Sequence, residues 1–390
     1  RSSDLALGFE ARALAQKLDL EALAVFARVT QPTDLSADML AWWARAALRK
    51  PDWAQVAKVI EAMPKEFVYD PKDATWLYWQ ARSVQALKGL DAARPFFERI
   101  AFGAAHNAGF YNQLASEALG HTPSPRSTAA AEVTINDTAN ATPNAAANVA
   151  TNAGLQRALL AIQIGLRPEG VREWNYEVNL ANGSMPDRQR LAAAALACAA
   201  QVWDRCINTS ERTKTVVNWS QRFPMPHKET LVAEAARRGI DPAFVYGLIR
   251  QESRFVTDAK SHVGAAGLMQ IMPATARWTA NRIGLTNFSG SQIHDINVNL
   301  TLGVAYLKYV LEDNDGNPPY AAAAYNAGPH RVRAWRKAME EDPAARSIDK
   351  KLALAIWSEN IPFSETRDYV KKVAANTETY KLRLATPPLQ

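Results

Sequence analysis

Apolar residues recur along most of this chain at spacings of three and four, the period that places them on one face of an α-helix. Leu5, Phe9, Leu14 and Leu18 form one such stripe, and Val56, Val59, Ile60 and Met63 form another. Alternating apolar and polar runs, the signature of half-buried strands, are few. Two segments also resemble each other at an offset of 37 to 39 residues: Trp42-Trp43-Ala44-Arg45 with Asp52-Trp53-Ala54-Gln55-Val56, and Trp79-Gln80-Ala81-Arg82 with Leu90-Asp91-Ala92-Ala93-Arg94. That period suits antiparallel helix pairs stacked as an α-solenoid, each pair burying its apolar face only against its neighbours. The tryptophans read as packing residues between helices, with stacking against sugar rings as the alternative.

The texture then changes twice. Residues 122–154 are rich in Ala, Asn, Thr and Pro and have almost no large apolar side chain. Burial there cannot offset the entropy of ordering the chain, so the segment reads as an insertion or linker. Helical periodicity resumes at Leu155, Leu159, Ile162 and Leu166, and continues through residues 191–206. From about residue 227, motif-like loops interrupt the helices. The expected architecture is all-α: an α-superhelical domain at 1–121, a low-complexity insertion at 122–154, more helical solenoid at 155–226, and a second, mostly helical domain at 227–390.

Composition alters this picture little. The 390 residues are 48% apolar and 22% charged, ordinary for a globular protein large enough for two or three domains. No apolar run approaches the ~18 residues of a membrane-spanning helix. Lys and Arg outnumber Asp and Glu by 45 to 39, a net charge of +6 that mildly favours an anionic partner. Cys198 and Cys206 have no histidines at zinc-ligand spacing, which leaves a buried thiol pair or a disulfide between adjacent helices.

The chemistry concentrates in the last third. Asp241 before Pro242 predicts a helix start, an N-cap oxygen followed by a proline whose missing N–H costs nothing there. On the helix that follows, Glu252 stands four residues after Leu248 and seven after Val245, on the apolar side. A carboxylate beside apolar packing and near a helix C-terminus resists ionisation, as a proton-donating acid working near neutral pH must. Pairing with Arg250 or Arg254 is the simpler alternative. Gly264-Ala265-Ala266-Gly267-Leu268-Met269-Gln270-Ile271-Met272-Pro273 then predicts a tight turn with open backbone leading into a new helix. The segment Asp313 to Pro319 begins like a calcium loop but has Pro318 where Gly is needed and Ala324 where Glu is needed, so it reads as a turn. Ala321 to Gly328 predicts a small-residue helix that presents Tyr325 and Asn326 at its end.

Taken in order, Glu252-Ser253, Gly267-Leu268-Met269-Gln270, Ala324-Tyr325-Asn326-Ala327-Gly328 and Ile361-Pro362-Phe363-Ser364-Glu365-Thr366-Arg367 resemble the signatures of the soluble lytic transglycosylase family. The resemblance implies a lysozyme-like catalytic domain over 227–390 and cleavage of peptidoglycan between N-acetylmuramic acid and N-acetylglucosamine, leaving a 1,6-anhydromuramic end. It gives Glu252 the part of the single acid and base and places Tyr325 beside it as a catalytic residue. It further assigns Ser261, Met269, Gln270, Met272, Asn326 and Glu365 to the saccharide groove, although an ion pair of Glu365 with Arg367 or Arg331 fits the sequence equally. The implied partners are peptidoglycan glycan strands and other cell-wall enzymes, with no nucleic acid, no cofactor and no metal. The implied location is the periplasm, with association to the outer membrane left open; a signal segment would have been removed, and a Cys198–Cys206 disulfide gains weight. Two other readings remain: a lysozyme-type hydrolase, with Asp258, Asp295, Glu312 or Glu359 as a second carboxylate, and a non-catalytic scaffold.

Overall fold

The computed structural model describes residues 2–103, 109–121, 131–132, 149–181, 183–340 and 348–385. Helices dominate among them; the one strand pair is Ala131–Glu132 alongside Val216–Val217, in parallel. Most of the insertion expected at 122–154 lies outside the described residues. Among those described, no helix is long and apolar enough to cross a membrane. The chain groups into two compact units, one of residues 1–104, 108–123 and 309–375 and the other of residues 105–107, 124–308 and 376–390. Compactness therefore divides the chain inside the helices Ile296–Glu312 and Ser364–Ala385, not where the texture changes near 227. Texture reports local composition, whereas compactness reports long-range packing.

In the first unit, Ala37–Arg49 packs on Trp53–Glu61, which packs on Thr75–Lys88, which packs on Leu90–Gly103, the neighbour-to-neighbour stacking of a solenoid. Caps fall where the sequence supplies them: the Ser36 hydroxyl accepts from Met39 N at 3.3 Å and the Asp52 carboxylate from Gln55 N at 3.0 Å. Trp42, Trp43, Trp76 and Trp79 are at most 3% exposed, so they pack the interior and offer no stacking surface to a sugar. Phe26 stacks on Trp43 at 5.1 Å, and the Trp79 indole N–H donates to the Tyr111 hydroxyl at 3.2 Å.

One charged cluster is buried within this unit. Glu359, the last residue of Lys350–Glu359, is fully buried and lies 2.9 Å from Arg45 Nη2, 3.1 Å from Lys371 Nζ and 3.8 Å from Arg367 Nε. Burial alone would raise its pKa, but the three cations reverse the effect and hold it at about 2. Arg45 is itself sandwiched between the Trp42 and Trp76 rings, 4.9 and 5.1 Å away.

In the second unit, Ala153–Gln163, Arg167–Asn179, Asp187–Ala199 and Trp203–Ser210 build a core from Leu155, Ala158, Trp174, Val178, Ala193 and Ala197. Small residues let the backbones approach: a Cβ on Gly170 would lie 2.4 Å from Ala158 O. Cys198 and Cys206 form a disulfide across the turn between the last two of these helices. A separate cluster of Ala266, Ile271, Ala276, Ala280, Ile293 and Leu302 packs beneath the loop that precedes Pro273–Arg282.

Candidate active site

The helix Pro242–Glu252 begins as its sequence dictates, with the Asp241 carboxylate accepting from Ala243 N at 2.8 Å and proline at the first position. Val245, Tyr246, Leu248 and Ile249 are fully buried, which fixes the rotation of the helix. Glu252, its last residue, emerges half-buried. Beyond it the chain turns sharply, with Arg254 and Phe255 in the left-handed region at φ 50° and 65°. Such backbone persists only where surrounding contacts enforce it.

Those contacts connect the first two motifs. The Ser253 hydroxyl donates to Leu268 O at 2.7 Å and accepts from Phe255 N at 3.2 Å. Gly267 takes φ 75°, and a Cβ there would lie 2.2 Å from Asn299 Nδ2, so only glycine fits. Asn299, buried on the helix Ile296–Glu312, donates to Ile293 O at 2.7 Å and Ala266 O at 3.1 Å and accepts from Met269 N at 2.9 Å. Gln270 turns back on the same loop, its amide donating to Gly267 O at 2.8 Å and Ala259 O at 3.1 Å. The Ser261 hydroxyl accepts from Ala265 N at 2.9 Å, closing the neighbouring turn.

Of the residues assigned to a groove in this unit, Met272 is exposed and Ser261 and Gln270 are half-buried. Met269 is fully buried against Gly303, where an added Cβ would meet its sulfur at 2.3 Å, so here its side chain supports the loop from behind.

The arginines that flank Glu252 both reach Glu211. Arg250 Nη2 lies 2.6 Å from one carboxylate oxygen and Arg254 Nη1 2.7 Å from the other. Burial would raise the Glu211 pKa, and the two guanidiniums outweigh it and hold it below the usual carboxylate range.

Tyr325, Asn326 and Glu365 belong to the other unit. The helix Pro318–Ala327 is started by the Asn317 side chain and stopped by Gly328 at φ 90°. Tyr325 and Asn326 are half-buried at its end, and Asn326 Oδ1 accepts from the Thr366 hydroxyl at 2.7 Å. The third and fourth motifs are thus joined much as the first and second are. Glu365, next to Thr366, is exposed at the rim of a cavity of about 390 Å³ lined also by Arg45, Phe67, Trp76, Arg367 and Lys371.

Two of the four carboxylates open to a second catalytic part have other duties. Glu359 is enclosed by its cations, and Asp295 accepts from Val298 N at 2.9 Å at the start of its helix. Among the described residues, no group of three or more His, Cys, Asp or Glu side chains is arranged to hold a metal ion. A half-buried carboxylate beside an ordered loop can give a proton to, or take one from, a bound ligand's oxygen.

Sequence reasoning missed Asn299 and Glu211. Asn299 could have been found by the argument that picked Glu252, since it lies three residues before Leu302 on an apolar helix face. Glu211 is 39 and 43 residues from its partners, in a separate helical region, and no local spacing points to it.

Residues 229–348 match the transglycosylase SLT domain, and residues 360–388 match the soluble lytic transglycosylase helical domain. The chain is 32% identical over 315 residues to the soluble lytic murein transglycosylase of Salmonella typhimurium, which covers 78% of this chain and 43% of that protein. An inactive mutant of the lytic transglycosylase Slt from Pseudomonas aeruginosa superposes with a TM-score of 0.76 at 30% identity, covering 97% of this chain and 57% of the other. A 70-kDa soluble lytic transglycosylase in complex with bulgecin A gives a TM-score of 0.74 at 25% identity, covering 94% and 54%. The chain thus spans roughly half the length of these relatives.

Proposed function

We propose that this chain, which carries a transglycosylase SLT domain at residues 229–348, is a lytic transglycosylase of peptidoglycan. Glu252, protonated, gives its proton to the oxygen linking N-acetylmuramic acid to N-acetylglucosamine. As a carboxylate it then takes the proton of the muramic C6 hydroxyl, which closes on the anomeric carbon as a 1,6-anhydro ring. One acid working twice needs no second carboxylate, whereas two-carboxylate glycosidases place theirs at a set separation.

The observation that carries the reading is that Glu252 lies inside the matched domain at the end of a buried helix, with Ser253 hydrogen-bonded to the Gly267–Gln270 loop. Tyr325, Ser261, Gln270, Met272, Asn326 and Glu365 keep the parts that the resemblance gives them, each open to test by single replacement, while Met269, fully buried, supports the loop instead. Periplasmic location belongs to the same proposal, and the Cys198–Cys206 disulfide supports it, since such bonds persist in oxidising compartments.

The test is to incubate purified peptidoglycan with the wild type and with Glu252→Gln and to weigh the released sugars by mass spectrometry. Anhydromuropeptides from the wild type are expected, falling about 10²- to 10⁴-fold in the variant, the usual worth of general acid–base catalysis. Reducing ends one water heavier would replace the reading with hydrolysis. No release from either protein would leave a binding scaffold.

A further inference from the structure

Glu252 projects from a sharp turn, and a proton donor must lie within hydrogen-bond reach of the atom it serves. What holds that turn is therefore a question about the reaction. Arg254 and Phe255 are two successive non-glycine residues at positive φ, each a source of strain that neighbouring contacts must offset. Phe255 is buried beside Tyr246, with ring centroids 6.0 Å apart. Arg254 is fastened through its guanidinium, to Glu211 at 2.7 Å and to the side-chain oxygen of Asn208.

Glu211 holds the other side of the acid as well. Its second oxygen accepts from Arg250, whose remaining donors reach Arg222 O at 3.0 Å and Asn376 Oδ1 at 3.1 Å, with the guanidinium carbon 4.1 Å from the centre of the Phe223 ring. One carboxylate therefore bridges the residue two before Glu252 and the residue two after it. Its own footing is firm: Glu211 immediately follows the helix Trp203–Ser210, which is tied to its neighbour by the Cys198–Cys206 disulfide. A side chain acting only as a surface ion-pair partner would have no reason to straddle this turn.

We propose that Glu211 is a positioning residue for Glu252, clamping Arg250 and Arg254 so that the turn presents the acid in a fixed place. The inference rests on the enzymatic reading above. Glu211 touches no substrate in this account, so its loss should leave glycan binding intact and slow the proton transfer. Misplacement of a catalytic group by about 1 Å is enough to lower a rate about 100-fold.

The experiment measures kcat and KM of the wild type, Glu211→Gln, Glu211→Asp and Arg254→Met on soluble peptide-bearing glycan strands, with thermal midpoints alongside. The expected result for Glu211→Gln is kcat lowered about 10- to 100-fold with KM within about threefold of wild type. Glu211→Asp, which keeps both charged hydrogen bonds at shorter reach, should recover part of the loss. Arg254→Met should lower kcat alone in the same way and covers the case in which Glu211→Gln does not fold, because Arg254 is the more exposed of the two arginines. Wild-type kcat in folded Glu211→Gln or Arg254→Met would overturn the proposal. So would a loss of kcat that comes with a raised KM and a lowered thermal midpoint, the pattern of a purely structural role. An inactive wild type would overturn the enzymatic reading itself, and this one with it.

Discussion

Lys350–Glu359 in one unit and Pro242–Glu252 in the other are two of the helices that end on a glutamate. Both carboxylates stand where the last carbonyls of a helix place the negative end of its dipole, a poor site for another negative charge. Glu359 meets the difficulty with three cations aimed at it and complete burial. Glu252 also has cations close by in the chain, two residues to either side, but both are drawn onto Glu211. The cations near Glu359 thus converge on it, whereas the two arginines that flank Glu252 in sequence converge on Glu211. A carboxylate enclosed by its cations holds helices together; a half-buried one at a helix end has the setting that the proposed acid requires.

The sharpest way to break this comparison is to neutralise each glutamate in turn. Glu359→Gln leaves three cations buried without their anion, and loss of one partner from such a cluster costs about 3–5 kcal/mol. Denaturant unfolding should show that loss for Glu359→Gln, whereas Glu252→Gln should stay within about 0.5 kcal/mol of wild type while losing the reaction. An equal loss in both would erase the distinction. The pH dependence sharpens it. Glu359 titrates at about 2 in the folded protein, below its ordinary 4.5, so its contribution is complete above pH 4.5 and disappears as the pH falls from 4.5 towards 2. In Glu359→Gln that part of the acid limb of the stability curve should flatten.

Asn299→Ala tests the support of the loop Gly267–Gln270 with a smaller effect. The substitution removes one acceptor from Met269 N and one donor each from Ala266 O and Ile293 O, at a position that is buried. A loss of about 2 kcal/mol is expected, since a buried polar group without its partner costs ~1–3 kcal/mol. Glycan cleavage should fall along with it, because the same loop anchors Ser253. Unchanged cleavage with unchanged stability would mean that the loop holds its shape without this side chain.

Much of this was legible in the sequence, and the parts that were not share a cause. The helix start at Asp241, the stop at Gly328, the packing role of Trp42, Trp43 and Trp79 and the half-burial of Glu252 follow from patterns confined to a few residues. The joining of Ser253 to Leu268, and of Asn326 to Thr366, was implied only by the order of the motifs. Glu359 is one of four carboxylates that the sequence leaves open for a second acid, because Arg45, its main partner, lies 314 residues away. The motif places Met269 in the groove, yet the glycine it packs against, Gly303, stands 34 positions on, in the helix Ile296–Glu312. Spacing reveals which side of a helix a residue occupies. It says nothing about what the rest of the chain brings to that side.

Ser253→Ala probes the comparison at its finest grain. The hydroxyl makes one strong hydrogen bond, to Leu268 O at 2.7 Å, and receives one from Phe255 N at 3.2 Å, so it links the end of the acid-bearing helix to the loop and to the strained turn at once. Removing it should cost only about 1 kcal/mol of stability, the net worth of an ordinary hydrogen bond. The fold loses little because the buried face of Pro242–Glu252 still sets the helix in place. The reaction should lose more, since Glu252 is the next residue and inherits any freedom the turn gains. The expected outcome is a thermal midpoint lowered by no more than a few degrees with a kcat lowered about tenfold, measured on the same glycan strands. Glu359 is held differently: three cations and the Tyr111 hydroxyl converge on it, so no single neighbouring hydroxyl sets its position. If Ser253→Ala cleaved glycan as fast as wild type, the turn would owe its shape to the Glu211 clamp and to Phe255 alone.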